Sequence, residues 1–256
     1  SFSFWFNFAS SQEIIIINDG SNDSSLEIIN SFSDNRIKLF TKENSGLIET
    51  LNFGIKKCSN EIIMRMDSDD LIHHEKIKIQ LNSFSKSKSI LMGTSGYLID
   101  SSDKIYGSIN LPTENSQIVK SMLSLNPSLI HPSVMFYKDA IKKVGLYSSL
   151  MKHSEDYDIF LRLSKLGELK NLNQKLIYLR KGDHNVSHNF TESQIINTLI
   201  SKQYYFSNKY KPIGKDEYYL LKKKVLSSSL NNYLIILHKI LVKENIKKDK
   251  SNIIII

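Results

Sequence analysis

The chain has 256 residues, 41% of them hydrophobic, with 34 Lys and Arg against 26 Asp and Glu. That length buries one substantial core with a small appendage, and no apolar run approaches the roughly 20 residues of a membrane-spanning helix. The net charge of +8 is concentrated: residues 201–256 hold 12 Lys and four acids, so the rest of the chain is neutral, which excludes a nucleic-acid-binding core.

A single cysteine, Cys58, excludes an internal disulfide framework and suits a reducing compartment. The opening "SFSFWFNFASSQ" lacks the basic start and cleavage site of a signal peptide. A cytoplasmic protein is expected.

In chain order, "EIIII" (13–17) is an unbroken apolar run, a buried strand, ending in the turn signal "NDGSNDSS". "SLEIIN" then starts a helix and "RIKLF" (36–40) is a short strand. In "NSGLIETLNFGIKKC", Leu47, Leu51, Ile55 and Cys58 lie at helical spacing, with Cys58 a packing residue. "EIIMRM" (61–66) is a third strand and "HHEKIKIQLNSF" a third helix, with His73 and His74 as its polar start. Strand and helix in alternation, with both faces of the strands apolar, predict a mainly parallel sheet covered by helices. In such folds ligands bind beyond the carboxyl ends of the strands, where Asp19 and Asp67–Asp70 fall.

Past residue 90, "ILMGTSGYLID" and "KIYGSI" read as a strand pair that adds an antiparallel element. "ENSQIVKSMLSL" reads as a helix, "HPSVMFYK" as a short strand with His131 in or behind the core, and "SEDYDIFLRLSKLG" as a helix capped by Ser154. Beyond residue 190 the pattern is helical and rich in Lys and Tyr.

Three clusters are candidates for chemistry, and each also has an ordinary reading. "RMDSDD" puts Asp67, Asp69 and Asp70 at a strand end. Acids there suit the start of a following helix, but hard oxygen ligands at i and i+2 also suit Mg²⁺ or Mn²⁺. "INDGSND" (17–23) is a strand-to-helix turn in which Gly20 permits left-handed backbone and Ser21 or Asp23 can cap. "HSEDYDIF" (153–160) offers Glu155 and Asp156 as helix-start acids or as a general base.

Taken in order, these clusters resemble glycosyltransferase family 2, of the GT-A fold. D-G-S ends one strand, D-x-D-D ends another about 48 residues later, and H-P-S-V-M-F and E-D-Y-D follow before a helix. The resemblance runs over residues 13–190 and includes "NSGLIETLNFGI", "EDYDIFLRL", "NLNQKLIYLR" and "NVS". It implies an α/β, Rossmann-like, mixed and mainly parallel sheet with helices on both faces. Residues 1–190 are then the transferase domain and 191–256 a basic helical extension. It further implies a metal-dependent, inverting transfer of sugar from a UDP-sugar to a glycan or lipid-linked acceptor, as in bacterial surface-polysaccharide synthesis. By this resemblance Asp69 is the principal metal ligand, Asp67 faces ribose and metal, and Asp70 holds the loop or the donor sugar. Asp19 contacts uracil, Asp156 is the base with Glu155 beside it, and Arg180 is either a diphosphate contact or part of a structural ion pair.

Two departures give further expectations. The family pattern has a P-x-Y-N strand and a helix before the strand equivalent to "EIIII". "SFSFWFNFASSQ" contains neither intact and reads at best as a remnant of that helix. The sheet is therefore expected to lack a central strand, and the alternative reading is a truncated, catalytically inactive remnant that only binds a partner. In "YLRKGDHNVS" the family's third metal ligand, a histidine, falls on Gly182, and His184, two residues on, is either a surface histidine or a substitute ligand if the loop bends. Finally, the "KKK" at 222–224 and the stretch after it read either as an amphipathic packing helix or as a peripheral contact with an anionic membrane surface through residues 201–256.

Overall fold

A computed structural model describes residues 13–180 and 192–228, together with the backbone of residues 2–7. Among these residues nine strands form one sheet: β1 (Phe2–Asn7), β2 (Glu13–Asp19), β3 (Ile37–Lys42), β4 (Ile62–Asp67), β5 (Leu71–Ile72), β6 (Leu91–Ile99), β7 (Ile105–Ile109), β8 (Met135–Tyr137) and β9 (Leu169–Arg180). Their order is β3-β2-β1-β4-β8-β6-β9-β5, with β7 paired to β6. β2 is parallel to β3 and β6 to β9, while β1 and β8 run antiparallel to both neighbours. It follows that β2, β3, β4, β6 and β9 all point the same way, and their carboxyl ends share one edge.

The helices are α1 (Ser25–Asn30), α2 (Leu47–Lys57), α3 (Lys76–Ser85), α4 (Asn115–Leu123), α5 (Lys138–Lys143), α6 (Glu155–Ser164), α7 (Glu192–Tyr205) and α8 (Lys215–Ser227). Both faces of the sheet are covered, because neighbouring residues of one strand enter different cores. Ile63, Leu91 and Phe136 pack with α2, α4, α5 and α6, whereas Met64, Met92 and Met135 pack with Phe84 of α3. This alternation follows from the two-residue period of a strand and explains why these strands are apolar throughout. Ile196, Leu199, Ile200 and Tyr204 of α7 form a further cluster with Met151, Ile213 and α8. None of the described helices is long and apolar enough to cross a membrane.

The expectation of a missing central strand is overturned. β1 lies between β2 and β4, with Phe4 opposite Ile16 on one side and Met66 on the other. The alternating "FSFWFN" suits a strand better than the helix remnant expected of it. Five residues separate Asn7 from Glu13, too few for a parallel crossover, so the segment returns as an antiparallel hairpin.

Smaller departures have local causes. The buried stripe of α2 begins at Ile48 rather than Leu47, which is 40% exposed. Cys58 is buried as expected, and burial pushes its thiol up to about 12, leaving it inert. Ser154 does not cap α6 with its side chain: its Oγ donates to the Gln194 carbonyl and pairs with Thr198 Oγ1 of α7, at 2.8 Å each. β5 and α5, of two and six residues, were too short for periodicity to signal. His184, the closing "NVS" and residues 229–256 lie outside the described residues.

Candidate active site

At the carboxyl end of β4 the chain turns through Ser68–Asp70 into β5, which pairs with β9 through Leu71–Tyr178 and Ile72–Ile177. Arg180, the last residue of β9, clamps this turn. Its backbone N–H donates to Asp70 Oδ1 at 2.9 Å and its Nε to the Asp69 carbonyl at 2.8 Å. Nη1 donates to the Asp100 carbonyl at 2.8 Å, and Nη2 meets Asp103 Oδ1 at 2.5 Å. Of the two expectations for Arg180, the structural ion pair is present, with Asp103, and the same guanidinium holds the acidic turn in place.

So held, Asp67, Asp69 and Asp70 bring one carboxylate oxygen each within 4.8 Å of one another. Burial, with the charges of Asp67 and Asp69, pushes the Asp70 carboxyl up to about 7 against the hydrogen bond from Arg180. Burial also raises Asp67, although the guanidinium of Arg65 opposes the shift. Like charges crowded in a half-buried turn favour a bound cation, and three hard oxygens fit Mg²⁺ or Mn²⁺. His73, His74 and Glu75 form a second such group in the turn before α3, where His73 Nδ1 already accepts from the Glu75 N–H at 3.2 Å.

The second pair of candidate acids lies in the first turn of α6. Glu155, Asp158, Ile159, Arg162 and Leu163 lie at the spacing of one helix face, and all are buried. Two turns of that face are locked: Arg162 makes a 2.6 Å ion pair with Asp158 and donates to the carbonyls of Val144 at 2.6 Å and Leu146 at 2.9 Å. Asp156 is rotated off that face and half-buried, its Oδ1 accepting from the Tyr157 N–H at 2.7 Å. Burial raises both Glu155 and Asp156, and Glu155 is raised further by the neighbouring charge of Asp156. Asp156 is also raised by the charge of Asp67.

Asp19 ends β2, on the same sheet edge as Asp67. Its Oδ1 accepts from the Ser45 N–H at 2.9 Å and its Oδ2 from the Gly46 N–H at 3.0 Å, and Lys42 Nζ pairs with it. Although burial opposes it, this set of donors holds the carboxyl below its usual value. Gly20 follows in left-handed backbone (φ 73°), and a Cβ there would come 2.9 Å from the Asn44 amide N, so the turn needs glycine. Asp19 thus fixes the loop that starts α2. Asp23 Oδ1 accepts from the Ser25 N–H at 3.0 Å, while Ser21 does not cap.

Three residues of the site were not singled out for this role from the sequence. Arg65 sits on β4 two residues before Asp67 and is 2% exposed; its Nη2 holds Asp67 Oδ1 at 2.5 Å. Tyr147 Oη and His131 Nε2 meet at 2.8 Å beside it. Burial and the Arg65 charge hold His131 well below its usual value, and hence neutral. A charge placed in the middle of an apolar strand, "IIMRM", was the available signal. On the opposite face of the β4 terminus, Met66, Leu71, Ile72, Ile99, Ile105 and Tyr178 line a cleft of about 440 Å³.

Comparisons with known proteins show the family and the fold. Residues 8–145 match the model of glycosyl transferase family 2, which covers the acidic turn but stops short of α6. An uncharacterized glycosyltransferase of Rickettsia typhi is 31% identical over 222 residues, covering 82% of this chain and 66% of the relative. The O-antigen biosynthesis glycosyltransferase WbnJ of Escherichia coli is 33% identical over 139 residues, covering 54% of this chain and 53% of its own. The chain thus spans about two thirds or less of the length of these relatives. Among solved structures, S. aureus TarS 1–349 in complex with UDP-GlcNAc superposes with a TM-score of 0.59 at 15% identity, covering 84% of this chain and 62% of TarS. The shared fold is that of a GT-A enzyme, and the chain belongs to glycosyl transferase family 2.

Proposed function

We propose that the chain transfers a sugar from a UDP-sugar to a hydroxyl of a glycan or lipid-linked acceptor in bacterial surface-polysaccharide synthesis, with inversion at the anomeric carbon. The observation that carries this reading is the acidic turn at the carboxyl end of β4, where Asp67, Asp69 and Asp70 bring one carboxylate oxygen each within 4.8 Å of one another; the raised carboxyl of Asp156, which the charge of Asp67 reaches, supports it. The O-antigen role of WbnJ and the UDP-GlcNAc bound by TarS support the substrate class.

In this reading Asp69 and Asp67 hold a Mg²⁺ or Mn²⁺ ion, which when bound offsets the charge growing on the departing diphosphate. Asp70, bonded to Arg180, keeps the turn in shape, and the Asp19 loop forms the wall on the nucleobase side. Asp156 accepts the proton of the acceptor hydroxyl as its oxygen bonds to the anomeric carbon and the bond to the diphosphate oxygen breaks. Burial suits it to this task, since a raised carboxyl is a stronger base once ionised. Residues 191–256 form a basic extension that contacts an anionic membrane surface peripherally.

The test is Mn²⁺-dependent release of UDP from a panel of UDP-sugars, with Asp156→Asn as control. Loss of the base lowers turnover by about 10²–10⁴-fold. Near-parental turnover in Asp156→Asn would remove Asp156 from this role.

A further inference from the structure

Two adjacent residues just before the acids of α6 give up local stability. His153 stands in left-handed backbone (φ 68°), which residues other than glycine rarely adopt. Ser154, a preferred capping residue, leaves the first turn of α6 without a side-chain cap. Such local costs persist only where the surroundings fix the conformation. Glu155 and Asp156 follow directly, so the groups that fix His153 and Ser154 also fix where those carboxyls stand.

These groups lie on α7. Gln194, Asn197, Thr198 and Ser201 recur at the spacing of one helix face. On one side of His153, the Lys152 carbonyl accepts from Asn197 Nδ2 at 2.9 Å. On the other, Ser154 Oγ donates to the Gln194 carbonyl and pairs with Thr198 Oγ1, at 2.8 Å each. Ser201 Oγ donates to Met151 Sδ at 3.4 Å. Asn197 is itself oriented from α8, whose Tyr218 Oη donates to Asn197 Oδ1 at 2.9 Å. Ser154, Asn197 and Ser201 are all buried. Ile196, Leu199 and Ile200 already dock α7 through apolar contact. Buried directed bonds add what apolar contact lacks, a single register.

We infer that the Gln194–Asn197–Thr198 stripe of α7 positions the first turn of α6: its bonds to Lys152 and Ser154 keep His153 left-handed and so set the direction of Glu155 and Asp156. The helical extension is thereby part of the transferase site as well as a basic appendage. Its purpose rests on the reading of Asp156 as the base; the link between the helices does not.

Two measurements test it. The first needs no substrate: hydrogen exchange of the Ser154 and Asp158 amides, which donate to the Met151 and Ser154 carbonyls, in Asn197→Ala and Thr198→Val. Both amides are expected to exchange about tenfold faster, while those between β6 and β9 keep their protection. Rates within about twofold of the parent, or equal acceleration across the sheet, would overturn the link. Thr198→Val keeps the shape of the side chain and serves where Asn197→Ala does not fold. The second follows UDP release from the donor sugar that the parent turns over. Thr198→Val is expected to lose about tenfold in kcat with KM for the donor changed less than about twofold. Thr198→Ser, which keeps the hydroxyl, should stay within about twofold of the parent. Parental kcat in folded Thr198→Val would confine the stripe to folding and overturn the proposal, as would a rise in KM with kcat unchanged. A parent that releases no UDP counts against the transferase reading alone, because the exchange rates still decide the link.

Discussion

Asp69 is exposed, and its carboxylate accepts no hydrogen bond among the described residues, whereas its neighbours Asp67 and Asp70 are tied to Arg65 and Arg180. On the proposed metal reading, Asp69 is the acid left free for an incoming cation beside two anchored ones. Asp69→Ala is therefore expected to abolish Mn²⁺-dependent nucleotide binding while shifting the melting temperature by no more than about 2 °C, as for an unbonded surface residue. Calorimetry and a thermal melt of the same sample check both halves. At this scale the sequence was informative about position and silent about partners. "DSDD" marks the turn, but nothing in it announces that Arg180, 110 positions later, is its clamp. Arg65 is the reverse case: its buried place forms only when the segment before β8 docks on β4, where the Val134 carbonyl accepts from its backbone N–H. Asp19 was legible as a strand-end acid, yet its bonds to Ser45 and Gly46 depend on how β3 turns into α2.

The elements were legible wherever one period dominated. β2, β4, α3 and α6 each carry an unbroken pattern, and each appears where that pattern places it. β1 did not read as a strand against the family pattern, because the sequence cannot show that the slot between β2 and β4 would be filled by a hairpin. Its place makes a prediction for hydrogen exchange. Deleting residues 1–7 exposes one backbone edge of β2 and one of β4, so the amides that now face β1 exchange faster, while those of β6 and β9 keep their protection. Equal protection of β2 and β4 with and without the segment would remove β1 from the sheet.

In α6 the Asp158–Arg162 pair is buried on both sides. Removing one partner strands a charge inside the fold, so Asp158→Asn is expected to cost about 3–5 kcal/mol in a urea titration. A loss below about 1 kcal/mol, the range of a surface pair, would contradict this assignment.

Over the whole molecule the acids of the site act together on stability. Asp70 is raised from 3.8 to about 7, and Asp67, Glu155 and Asp156 are raised as well. Each binds its proton more tightly in the folded state than in the unfolded one. Between about pH 4 and pH 7 the folded protein therefore keeps protons that the unfolded chain has lost, and stability falls as pH rises through that window. The metal-free protein should melt higher at pH 5 than at pH 7.5, and Asp70→Asn should reduce the difference. On the proposed metal reading, Mn²⁺ added at pH 7.5 should raise the melting temperature by binding the ionised carboxylates of the folded state. A metal-free melt that rises steadily from pH 4 to pH 7.5 would show these carboxyls to be ionised and compensated.

The central claim is that the acidic turn and the sheet edge around it form a working nucleotide–metal site. Calorimetric titration of UDP into the folded protein, with Mn²⁺ present and again with Mn²⁺ chelated, tests this most directly. The expected result is saturable binding that needs the metal and is lost in Asp69→Ala. Binding of equal strength in both conditions, or none in either, would contradict it.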